Sequence, residues 1–201
     1  IVATRDHPTV DFAARELADY LSRMSSGRSV EIRKGSSPAA AAPYLSLGTF
    51  EDFGIPLSGL NDPALDDAIR IDVTGIEGMI AGSNPRSVLL AVYRFLEEAG
   101  CRWVRPGRDG EFVPATDLDT VAVHVNERAS YRHRGICIEG AVSFENMLEN
   151  IRWAPKLGFN SYFLEFKTPF TFFDRWYSHR NNPYKQPEPV TPDQVETFKT
   201  K

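Results

Sequence analysis

Three polar side chains and one run of aromatic rings are the parts of this sequence best suited to chemistry on a ligand. Arg134, just before Gly135, carries a planar fork of donors that suits vicinal hydroxyls or a carboxylate. Its competing reading is a salt-bridged strand arginine. Glu139 and Glu165 fall near the carboxyl ends of two strand-like runs, the position at which barrel active sites are built. Each reads either as a substrate contact or as a solvated or ion-paired loop residue. From Tyr162 to Tyr177 the chain gathers Phe163, Phe166, Phe170, Phe172, Phe173 and Trp176. Aromatic faces pack on the apolar side of a sugar ring, which makes Trp176 a candidate ligand contact. Most of these rings equally suit a core or a domain interface.

Other chemistry is poorly represented. The paired acids Asp66-Asp67 and Glu97-Glu98 belong to a hairpin start and a helix surface, so no catalytic pair is assigned. A Gly-rich phosphate loop, an HExxH helix and a Cys/His cluster with metal-ligand spacing are all missing, so neither cofactor nor metal is expected. His7, His124, His133 and His179 are scattered and read as surface or hydrogen-bonded residues. Cys101 and Cys137 lie in apolar stretches and read as small buried hydrophobes. The helix start at Ser83-Asn84-Pro85-Arg86 could hold an anion, although ordinary capping explains it.

Hydrophobic residues make up 42% of the 201 residues and charged ones 25%, enough to bury a core. The net charge of −4 is spread among interspersed acids and bases. That argues against a nucleic-acid partner, and no apolar run approaches the roughly 20 residues of a membrane span. The chain opens at Ile1-Val2 without Met, so a removed leader would be invisible and the compartment stays open.

The elements that must position these residues fall into two groups. In residues 1–128, Ile1 to Ala3 reads as a strand end, and Asp6 and Pro8 open a helix. Its apolar positions Val10, Ala13, Leu17, Tyr20, Leu21 and Met24 share one face, and Gly27 ends it. Ser29 to Arg33 and Tyr44 to Gly48 read as strands, with a loop from Ser36 to Ala42 between them. The alternating runs Ala68–Val73 and Gly78–Ala81 form a hairpin around Gly75. Asn84 and Pro85 start a second helix, with Leu89, Val92, Tyr93 and Leu96 buried, and Gly100 stops it. Short extended pieces follow at Cys101–Val104 and Glu111–Pro114. This order implies a mixed sheet with two long helices on one face, an α+β class.

In residues 129–201 the pattern changes. A strand over Tyr131–Glu139, a helical stretch over Ser143–Leu157 and a strand over Ser161–Phe166 make a strand–helix–strand unit, the building block of a parallel sheet. Thr191-Pro192-Asp193-Gln194 is a capping box that announces another helix. The 71 residues from Tyr131 to Lys201 are far fewer than the roughly 250 of an eight-fold barrel. The expectation is a truncated (β/α) barrel fragment with exposed apolar surface and an unpaired sheet edge, which would be disordered, dimerise through its edge or pack on the first region.

Two stretches carry a family resemblance. Phe12-Ala13-Ala14-Arg15-Glu16-Leu17-Ala18-Asp19-Tyr20-Leu21, followed by Gly27, resembles the first helix of the accessory domain that precedes the barrel in several glycoside hydrolases. These include the family 20 β-N-acetylhexosaminidases and the family 67 α-glucuronidases. Gly82-Ser83-Asn84-Pro85-Arg86-Ser87 and Tyr93 through Trp103 resemble that domain's second helix and its exit, and Pro106-Gly107 and Glu111 to Pro114 also match. Tyr131-Arg132-His133-Arg134-Gly135 looks like the opening of barrel strand one. The resemblance implies a non-catalytic N-terminal portion of a carbohydrate-active enzyme, whose carbohydrate substrate meets catalytic carboxylates beyond this sequence. It also implies that Arg134 hydrogen-bonds sugar hydroxyls. Family 20 usually has an aspartate where Glu139 stands, so that carry-over departs from the pattern. The rival readings are a carbohydrate- or protein-binding module, for which Trp103 is the main aromatic candidate in the first region, and a degenerate barrel protein without hydrolase activity.

Overall fold

The computed structural model describes residues 1–35, 44–138, 143–164 and 174–200. Strand β1 (Val2–Ala3) leads into helix α1 (Pro8–Met24). His7 caps the helix, its Nδ1 accepting from the Thr9 amide at 3.1 Å, so the cap lies one residue past Asp6. Val10, Ala13, Ala14, Leu17, Tyr20, Leu21 and Met24 are buried at three- and four-residue spacing. Each large side chain on that face contributes roughly 1.5–3 kcal/mol, more than helix propensity supplies over the same residues.

Strands β2 (Arg33–Lys34), β3 (Leu45–Thr49), β4 (Ala68–Thr74), β5 (Glu77–Gly82) and β8 (Ala122–Arg128) complete a six-stranded mixed sheet in the order β2-β1-β3-β5-β4-β8. β1 is parallel to β2 and β3, and β3 to β5, whereas β4 runs antiparallel to β5 and β8. Strand β2 is shorter and later than the Ser29–Arg33 expectation, because only Arg33 and Lys34 find register with β1. The β4–β5 hairpin turns at Gly75, which takes φ 63°. β8 is absent from the sequence reading, yet Val123 and Val125 sit opposite Val73 and Ile71 on the helix-covered face.

Helix α2 (Pro85–Glu98) lies on that same face beside α1. Asn84 caps it by accepting from the Ser87 amide at 3.0 Å. Its first turn approaches β5 so closely that a Cβ on Gly82 would stand 2.3 Å from the Val88 nitrogen, so only glycine fits there. Val88, Ala91, Val92, Tyr93, Phe95 and Leu96 are buried, while Leu89 is only partly so. On the opposite face, Phe50, Phe53, Ile55 and Leu60 pack over Ala68, Met79 and Ala81. β6 (Arg102–Trp103) and β7 (Glu111–Phe112) form a separate antiparallel pair. Trp103 is buried, with its ring edge-on to Tyr20 and Tyr93 at centroid distances of 5.6 Å each. It therefore packs the core and offers no exposed aromatic platform.

The second region holds a parallel strand pair, β9 (Gly135–Ile138) and β10 (Ser161–Leu164), joined through helix α3 (Phe144–Trp153) and a 3-10 turn at Ala154–Leu157. Gly135 is in register with Ser161. β9 is shorter than the Tyr131–Glu139 expectation: Tyr131, Arg132 and His133 are exposed and precede the pairing. Helix α4 (Pro192–Thr200) carries the expected capping box, in which Thr191 N donates to Gln194 Oε1 at 2.9 Å and Gln194 N to Thr191 Oγ1 at 3.3 Å. The described chain is thus a mixed α/β protein with a six-stranded mixed sheet and several helices.

The two thiols separate. Cys101 is buried, its Sγ 3.8 Å from Met24 Sδ, and burial pushes its thiol up to about 11. Cys137 is exposed, against the buried reading. Among the described residues β9 pairs with β10 alone, so its Cys137 face has no covering layer. One of the two thiols is therefore expected to react rapidly with Ellman's reagent under native conditions. Cys137→Ser should abolish that fast phase; a fast phase that persists in this variant would contradict the assignment.

Candidate functional site

Asp67, the residue before β4, is 3% exposed. The first turn of α2 approaches it from one side: Ser87 Oγ donates to Oδ1 at 2.6 Å, and Arg86 donates to the same oxygen through Nε at 3.0 Å and Nη2 at 2.9 Å. From the other side, Arg134 Nη2 and Asn160 Nδ2 each donate to Oδ2 at 2.8 Å. Burial alone would raise the Asp67 carboxyl, but its bonds from Ser87, Arg134, Arg86 and Asn160 outweigh that and hold it below the usual range. The adjacent Asp66 accepts from Arg132 Nε at 2.8 Å and from the amides of Asn61 and Asp62. Both acids of the pair are therefore committed to the junction between the sheet layer and the strand–helix–strand unit.

Arg134 spends its fork within this junction. Beyond Asp67, its Nε donates to the Gly158 carbonyl at 2.9 Å and its Nη1 to the Tyr131 carbonyl at 2.7 Å. Its backbone amide donates to Asn160 Oδ1 at 3.0 Å. Arg134 is thus salt-bridged to Asp67. Glu139 and Glu165 lie outside the described residues, as do Phe166, Phe170, Phe172 and Phe173. Trp176 is 42% exposed. Tyr162 and Tyr177 instead pack against Phe144 and Met147, so the described part of the aromatic run divides between packing and surface.

A second junction centres on Glu111, whose side chain is only 8% exposed. Tyr20 donates its hydroxyl to Glu111 Oε1 at 2.7 Å, and Arg23 Nη2 donates to Oε2 at 3.0 Å. Lys156, from the 3-10 turn that follows α3, bonds both Glu111 Oε1 and the Tyr20 hydroxyl. Trp103 Nε1 donates to that hydroxyl at 2.8 Å, and Trp153 Nε1 donates to the Trp103 carbonyl at 2.8 Å. Burial would raise the Glu111 carboxyl; the bonds from Lys156, Tyr20 and Arg23 prevail and hold it low. Burial also pushes the phenols of Tyr20 and Tyr93 well up. A carboxyl locked ionised in this way is a structural anion, unsuited to protonating a leaving group.

Sequence reasoning missed this network. Tyr20 was legible as a buried helix position, and a buried tyrosine needs a hydroxyl partner. That partner, Glu111, lies 91 residues away and Lys156 lies 136 away, beyond any local pattern. Among the described residues no group of three or more His, Cys, Asp or Glu could hold a metal ion, and no helix is long and apolar enough to cross a membrane. Neither a comparison with protein-family models nor one with curated proteins finds a match to this chain.

Proposed function

We propose that this chain is the non-catalytic N-terminal portion of a carbohydrate-active glycoside hydrolase, an enzyme that cleaves O-glycosyl bonds of hexosaminide or glucuronide type. In this reading the layer built on α1, α2 and the six-stranded sheet buttresses the first strands of a catalytic (β/α) barrel, of which β9, α3 and β10 are the opening unit. The observation that carries the reading is the Asp67 junction. It ties the residue before β4 and the first turn of α2 to Arg134 and Asn160, the residues that lead into the two strands of the parallel strand–helix–strand unit, as a domain supporting a barrel would require. The sequence resemblance of both helices and of the Tyr131–Gly135 run supports the same reading. Arg134 then acts as a positioning residue for the first barrel strand.

The test assays a panel of aryl glycosides, including N-acetylglucosaminide and glucuronide, with the 201-residue chain and with the uninterrupted reading frame that encodes it. Hydrolysis by the longer protein and none by the chain is expected. Silence from both would overturn the hydrolase reading in favour of a binding module or a degenerate barrel. Activity in the chain alone would overturn the assignment of the chemistry to residues outside it.

A further inference from the structure

Beside the Glu111 junction, α1, the turn before β7 and α3 enclose an open cleft of about 410 Å³. Small-molecule sites span roughly 300–1,000 Å³, so the volume is that of a ligand pocket. Its lining has an unusual balance: four carboxylates (Glu16, Asp19, Glu111, Glu149) and four cations (Arg23, Arg108, Arg152, Lys156). Part of this charge is already used. Glu111 is held by Lys156, Arg23 and Tyr20, Glu16 Oε2 accepts from the Tyr93 hydroxyl at 2.7 Å, and Asp19 pairs with Arg23 at 3.3 Å. Among the described residues Arg108, Arg152 and Glu149 are left without a hydrogen bond or ion pair, and all three are exposed. Phe12 on α1, 40% exposed, and Trp153 on α3 add apolar surface to the lining.

We infer that this cleft is a binding site for a neutral polyhydroxylated ring, a mono- or disaccharide. The formal charges of the lining sum to zero, and the groups left unspent are two guanidinium donors beside one carboxylate acceptor, so Glu149 disfavours a phosphate and the arginines disfavour a cation. A sugar hydroxyl both donates and accepts, so adjacent hydroxyls bridge Glu149 and Arg152 without adding charge. The apolar face of the ring rests against Phe12. The site stands apart from the hydrolase reading, because it uses none of the barrel carboxylates and its occupation requires no catalysis.

The chain has three tryptophans, and two of them report on this place: Trp153 lines the cleft and Trp103 packs edge-on against Tyr20 and Tyr93, which also line it. Trp176→Phe removes the third signal and separates the cleft from the aromatic run. Fluorescence titration of this variant with cellobiose, maltose and N,N′-diacetylchitobiose is expected to give a saturable change with at least one of them. Adding Arg152→Gln or Phe12→Ala should weaken that binding at least about tenfold, equivalent to about 1.4 kcal/mol, with unchanged urea unfolding showing that the fold survives. The inference is overturned if no sugar gives a saturable change up to about 50 mM, a weaker affinity than the weakest ordinary complexes. It is overturned equally if both added substitutions leave the affinity unaltered, or if only the zwitterion glycine betaine binds.

Discussion

Asp67→Ala is expected to lower the unfolding free energy by about 3 kcal/mol, the low end for breaking a buried ion pair. The substitution leaves Arg134 and Arg86 without the carboxylate they share, and it removes the acceptor of Ser87 and Asn160. Each orphaned buried donor adds to the cost. Arg86 and Arg134 keep partial access to water, at 36% and 22% exposure of their side chains, and this holds the loss near the lower bound. Urea unfolding would show the midpoint falling with an unchanged slope. A loss below about 1 kcal/mol would mean that the junction is not fastening the two regions.

Glu111→Gln is the second large effect, roughly 2–3 kcal/mol at neutral pH. The amide retains one acceptor oxygen, but Lys156, 13% exposed, is left as a nearly buried cation without its counter-charge. The sign of the pH dependence follows from the depressed Glu111 carboxyl. As pH falls, the unfolded chain takes up the proton first, near the ordinary glutamate value of about 4.3. The stability contributed by Glu111 is therefore complete above that value and is lost as pH drops through the lower, folded one. Unfolding at pH 7 and at about pH 3 should show the gap between wild type and Glu111→Gln closing at the acid end. A gap that widened in acid would reverse the assignment.

Local patterns carried the layer and failed at its joints. Asn84-Pro85 and Gly100 mark α2 because capping chemistry is written in adjacent residues. The β4–β5 hairpin is legible because Ile69, Ile71 and Val73 alternate with Arg70 and Asp72, whose side chains stay out of the helix-covered core. β8 carried the same signal in Val123 and Val125, whose neighbours His124 and Asn126 point to its other face, where His124 pairs with Asp72 at 2.8 Å. Trp103 and Cys137 exchange the roles that composition suggested. Trp103 is roofed by two tyrosines from different helices, while Cys137 sits between isoleucines on a strand that, among the described residues, pairs with one neighbour. Burial of this kind depends on which elements meet, and neighbouring residues in the sequence do not encode that. The same reason hid the site: Asp67, Arg134 and Asn160 are each ordinary in their local context, and only the docked arrangement makes them a unit.

The most direct test of that docking is a double-mutant cycle on Asp67→Ala and Arg134→Ala, read by urea unfolding. A junction that holds the strand–helix–strand unit on the layer predicts a coupling of about 1–3 kcal/mol, because the second substitution removes a partner already lost. Additive losses, with coupling within about 0.3–0.5 kcal/mol of zero, would contradict it and leave the two regions as independent bodies.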